Sequence, residues 1–172
     1  SRKPCRIWQK ESLKRQWKFG NVMQPDTYYF SGHDDFRKES ALNRLKEKLL
    51  DKTSLDLNFN VYYGKESQAR DIIQSLSTPP FLGKFRLIVL KEAERLPSQE
   101  KKILANHIKN HKSSSVVFAV LSSAYSKTTK DPFFEILRQR AECRDFGDVA
   151  PEKVSEWIKR QLNEKGKSIE PN

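Results

Sequence analysis

Two stretches of this chain are apolar almost without interruption: residues 85–90 (FRLIVL) and residues 116–121 (VVFAVL). Neither approaches the about 20 apolar residues that a membrane helix needs. They have the length of strands, and hydrophobicity that is continuous rather than alternating implies burial on both faces, as in a parallel sheet covered by helices. The composition permits such a core. Only 36% of the 172 residues are hydrophobic and 32% are charged, but ten Phe, five Tyr and three Trp argue against disorder.

The remaining pattern alternates strand and helix. Residues 27–30 (TYYF) and 59–63 (FNVYY) are rich in β-formers, ended by Ser31-Gly32 and by Gly64. Between them, Phe36, Leu42, Leu45 and Leu49 are read as one helical face, with Arg37, Lys38, Glu39, Arg44, Lys46 and Glu47 elsewhere. Ala69, Ile72, Ile73 and Leu76 form the stripe of a second helix, which must stop near Ser77 and Thr78 because Pro79-Pro80 follows. Ser98 opens a third helix through Asn110, with Ile103, Leu104 and Ile108 inward. Asp131-Pro132 is an N-cap followed by proline at the first helical position, opening a helix with Phe133, Phe134 and Leu137. Residues 142–146 are a fifth, short strand with Cys143 inward. A last helix from Pro151 carries Val154, Trp157, Ile158 and Leu162 up to Gly166. Five strands separated by helices predict a three-layer α/β domain with a mainly parallel sheet.

Seven of the 33 Lys and Arg lie in residues 1–20 against the single acid Glu11, a local charge of +6 out of a total of +11. That basic leader suits an acidic surface such as nucleic acid. It suits better a solvated helix whose Ile7, Trp8, Leu13 and Trp17 pack on the body. Cys5 and Cys143 are too few for a disulfide framework or a cysteine-rich zinc site. No stretch reads as a secretory signal, so a reducing, cytoplasmic location is expected.

In a sheet of this kind, the turn from the first strand into the first helix is the usual phosphate cradle. A P-loop there reads GxxxxGK[ST], with the Lys on the outer phosphates and the hydroxyl on magnesium. Residues 32–39 match it at Gly32 and Lys38 only. Arg37 stands for the second glycine, Glu39 for the magnesium hydroxyl, and His33, Asp34 and Asp35 bring carboxylates where phosphate would lie. The third strand, which should end in a metal-holding acid, ends Leu90-Lys91-Glu92, with Glu92 and Glu94 read as solvated charges. Both positions fail together, which predicts an ATPase scaffold without nucleotide, metal or cofactor. Other chemistry is no better supported. His33, His107 and His111 lack support for zinc, His107 and His111 being read as surface residues. No Gly-x-Ser-x-Gly elbow exists, and neither Cys has a base nearby in sequence.

The run from Tyr28 to Phe36 (YYFSGHDDF), the block from Pro79 to Leu96, and Lys-x-x-Lys-Asp-Pro-Phe-Phe over residues 127–134 resemble, in order and spacing, the delta subunit of the bacterial DNA polymerase III clamp loader. The resemblance covers residues 27–169. It implies an AAA+ domain that does not bind ATP, in a non-catalytic accessory subunit of the replicative polymerase holoenzyme that grips the ring-shaped sliding clamp and opens it. It also implies a clamp-binding hydrophobic plug at Leu76, Thr78, Pro79, Pro80, Phe81 and Leu82. Phe81 matches the family's plug aromatic, Pro80 stands where leucine is common, and the glutamine that often begins such motifs is out of register. Related loader subunits that act on a neighbour's ATP carry Ser-Arg-Cys, where this chain has Ala141-Glu142-Cys143, so the delta-prime and gamma/tau subunits are disfavoured.

The implied organisation is a basic leader over residues 1–26, an AAA+-like domain over 27–165, and at 166–172 the start of a linker to a missing helical domain. The implied partners are the sliding clamp (the beta subunit), delta prime and gamma/tau through the missing domains, and DNA only within the assembled loader, with no membrane. The alternatives are a variant P-loop NTPase, motivated by Gly32 and Lys38, and a nucleic-acid-binding domain using the leader. A purely structural role for Phe81 and Leu82, capping the local core, also stays open.

Overall fold

A computed structural model describes residues 25–110, 112–123 and 131–147. The basic leader through residue 24, Cys5, His111, Lys127, Lys130, the helix expected from Pro151 and the stretch 166–172 lie outside the described residues.

The five strands are β1 (Thr27–Ser31), β2 (Phe59–Tyr63), β3 (Arg86–Lys91), β4 (Val116–Ser122) and β5 (Glu142–Asp145). They form one sheet in the order β2-β3-β4-β1-β5, and every pairing is parallel. The helices are α1 (Asp35–Leu49), the single-turn α2 (Leu55–Asn58), α3 (Ala69–Ser77), α4 (Ser98–Asn110) and α5 (Pro132–Arg140).

The two apolar runs become β3 and β4 near the middle of the sheet, and their side chains divide by parity, because successive strand residues point to opposite faces. Leu87, Val89, Val117, Ala119 and Leu121 join Tyr28 and Phe30 against Leu42, Leu45 and Leu49 of α1. Ile88, Leu90, Phe118 and Val120 join Tyr29 against α3, α4 and α5. The result is the expected three-layer α/β arrangement.

Three expectations are corrected. Phe36 is 61% exposed and Ile103 is 43% exposed. A helix turns about 100° per residue, so Phe36, six positions before Leu42, lies well off the stripe that Lys38, Ala41, Leu42, Leu45 and Leu49 bury. Ile103 similarly stands outside the stripe of Leu104, Ala105 and Ile108. Glu94 is no idle charge either, because its carboxylate accepts the Ser123 N–H at 3.2 Å, just past β4.

Two short elements have no sequence signature of their own. These are α2 and a 3₁₀ turn at Ala93–Arg95. Both are far below the length at which a helix stands alone, so tertiary packing holds them.

Candidate functional site

The parallel sheet separates two candidate sites. The β1–α1 turn leaves the carboxyl ends of the strands, while the loop from α3 into β3 enters at their amino ends. The six residues of β3 put roughly 20 Å between those edges.

At the carboxyl edge, Gly32 has φ +112°, and a Cβ there would lie 2.3 Å from the Phe146 carbonyl oxygen. Its glycine is therefore required by the close approach of the chain after β5. The amides that would face a phosphate are engaged with the protein's own oxygens. Asp34 N–H donates to the Phe146 carbonyl at 3.1 Å, Asp35 N–H to that of His33 at 3.0 Å, and Lys38 N–H to that of Asp34 at 3.1 Å. Arg37 N–H donates to the Asp34 carboxylate at 2.9 Å, an N-cap contact. The Arg37 guanidinium lies 5.6 Å from the centre of the Phe146 ring.

Lys38, which the sequence places off the apolar face of α1, is buried. Its ammonium donates to the Ser122 carbonyl at 3.2 Å and pairs with Asp35 at 2.8 Å. The two positions that would share a magnesium ion meet as well: Lys91 and Glu39 form an ion pair of 2.5 Å. Glu92, beside them, has φ +52° and pairs with Arg95 at 3.1 Å. Among the described residues no group of three or more His, Cys, Asp or Glu is arranged to hold a metal ion, and His107 is half-buried in α4. Glu142 pairs with Arg144 at 3.0 Å.

At the amino edge, α3 ends at Ser77 and Thr78 adopts an extended conformation, as a residue before proline must. Leu76, grouped with the plug on sequence, lies in the core at 6% exposure, packed with Ile72 and its neighbours. Thr78 and Pro79 are exposed and Pro80 is half-buried. Phe81 and Leu82 are 56% and 80% exposed. Leu82 has φ +49°, a left-handed conformation costing a β-carbon-bearing residue roughly 1–2 kcal/mol. Strain of this kind tends to gather at binding sites.

The main chain of Phe81 is tied down even though its ring is not. The Asn58 side-chain oxygen accepts the Phe81 N–H at 2.7 Å, and the Asn58 amide nitrogen donates to the Phe81 carbonyl at 2.7 Å. Asn58 is fully buried at the end of α2. Sequence reading missed it, since nothing local marks a polar residue ahead of β2 as the partner of a loop 23 positions later.

A parallel sheet in this order, with α1 following a P-loop-like turn, defines an α/β domain of the AAA+ and P-loop NTPase type. Solved structures agree on the fold. The chain aligns with the Bacillus subtilis DNA clamp loader delta protein at TM-score 0.66 and 18% identity, over 84% of this chain and 45% of that one. It aligns with a DNA polymerase III gamma subunit-related protein from Thermotoga maritima at TM-score 0.55 and 11% identity, over 85% of this chain and 51% of that one. It aligns with the Thermotoga maritima RuvB Holliday junction branch migration motor at TM-score 0.53 and 16% identity, over 82% and 44%. The chain thus spans about half the length of these structures or less. No curated protein sequence matches it. Residues 28–143 match the family described as DNA polymerase III, delta subunit, and the chain belongs to that family.

Proposed function

We propose that this chain is the clamp-gripping part of a clamp-loader delta subunit: a non-catalytic module that seats Phe81 and Leu82 in the sliding clamp and helps to open the ring for loading onto DNA. One observation carries the reading. Two adjacent large apolar side chains stand exposed on a loop stiffened by Pro79-Pro80 and held at its main chain by Asn58. Solvent gives no reason to present them this way, whereas a partner pocket does, because an ordered tip loses little conformational entropy on binding. Thr78, Pro79 and Pro80 frame the tip, and Leu76 supports it from the core.

The carboxyl edge favours a non-catalytic role. Lys38 is turned inward to Asp35 and Ser122, and Glu39 is engaged with Lys91, which weighs against the variant NTPase. Contacts with delta prime and gamma/tau belong in this reading to other domains of the subunit, and contact with DNA to the assembled loader. The working location is the cytoplasm, and no helix among the described residues is long and apolar enough to cross a membrane.

The test is Phe81→Ala against purified sliding clamp. An anchor of this kind contributes about 2 kcal/mol or more on truncation, so affinity falls at least ~30-fold, while the melting temperature stays close to the parent's because the ring is exposed. Binding equal to the parent's would defeat the reading.

A further inference from the structure

We infer that Asn58 is the positioning residue of the clamp-binding tip, setting how fast the sliding clamp is captured. The inference rests on the clamp-binding reading above. A fully buried primary amide must find hydrogen-bonding partners, and Asn58 finds both main-chain groups of one residue, Phe81, at 2.7 Å each. The side chain thereby imitates a neighbouring strand for that single residue.

Geometry on either side of Phe81 depends on this grip. Pro79 and Pro80 before it supply no N–H donors, so the Phe81 amide is the first after them that can anchor the loop. Leu82 after it is held at φ +49°, a conformation a free loop would leave. Gly83 then returns so close over α2 that a Cβ there would lie 3.1 Å from Asn58 Nδ2 and 3.2 Å from Ser54 Oγ. The loop therefore has a tied backbone beneath two solvent-facing side chains. Holding the main chain of an exposed residue adds little to the interior, but it keeps the tip in the conformation that binds. Removing the grip reduces the competent fraction, and apparent affinity falls with that fraction.

Three variants of the 172-residue chain test this: Asn58→Ala, the near-isosteric Asn58→Leu and, as the anchor control, Phe81→Ala. Amide hydrogen exchange at Phe81 is measured in the free protein, and association and dissociation rates on immobilised sliding clamp. Asn58→Ala speeds exchange at Phe81 and lowers the association rate about tenfold, with dissociation within about twofold of the parent, because the ring contacts survive once seated. Asn58→Leu fills the same buried space and offers neither contact, so its association rate falls as far as that of the alanine variant. It carries the test alone if the alanine variant does not fold. A purely architectural role would lower the melting temperature without changing exchange or association. Unchanged exchange in folded Asn58→Ala, or an association rate equal to the parent's in any folded Asn58 variant, overturns the inference and leaves the clamp reading standing. Parent-level clamp binding by Phe81→Ala overturns that reading and this inference with it.

Discussion

Lys38, Asn58 and Tyr29 are polar groups in the interior, and burial leaves a different mark on each. Lys38 finds a carboxylate and a carbonyl, and Asn58 finds a backbone. Tyr29, in the middle of β1, packs its ring 5.8 Å from that of Phe134, and burial pushes its phenol well above the ordinary value of 10.0. The folded chain therefore keeps Tyr29 protonated where the unfolded chain ionises it. Its contribution to stability is intact below pH 10 and drains away as pH climbs through the alkaline window above that. Denaturant unfolding at pH 8 and at pH 10 to 11 should show the parent losing stability to Tyr29→Phe only in the alkaline range. A constant difference between the two proteins across that range would contradict it.

Helix α3 shows how one element depends on another. Its N-cap, Gln68, makes no side-chain cap bond. The Glu100 carboxylate on α4 instead accepts the Ala69 N–H at 2.6 Å, placing negative charge at the positive end of α3. Helix α5 carries its own cap, Asp131, which accepts the Phe133 N–H at 2.9 Å and pairs with Lys101 of α4 at 3.1 Å. Glu100→Ala is expected to cost about 1 kcal/mol, in the range of a lost cap, and to speed amide exchange at Ala69. Glu100→Gln retains the acceptor and should recover most of that loss. Equal destabilisation by the two substitutions would show that the cap is not what Glu100 contributes. Such a cap is hard to foresee in sequence, because Glu100 lies 31 residues beyond the amide it serves.

Across the molecule, the sheet isolates the tip from the P-loop-like turn, so the two edges are expected to behave independently. Magnesium-ATP at millimolar concentration should leave the melting temperature unchanged, since a ligand that binds only the folded state must raise it. A concentration-dependent rise would mean that Lys38 can leave Asp35 and Ser122 and that the NTPase reading is correct. The strand order itself, with β1 between β4 and β5, brings Phe146 over Gly32 and so closes the turn on itself.

The alternation of strand and helix, the parallel sheet and the helix stop at Pro79-Pro80 could all be read in advance, because periodicity, burial pattern and proline chemistry are local properties of the chain. The departure from the P-loop pattern at Arg37 and Glu39 is a property of the sequence itself. Where spacing was stretched to six residues, as from Phe36 to Leu42, the local reading failed. Tertiary structure alone decided that Lys38 faces inward, that Glu39 meets Lys91, that Glu100 caps α3 and that Asn58 grips Phe81. Each of those joins residues distant in sequence or depends on which way a side chain turns once the layers pack, and neither is encoded in the spacing of neighbours.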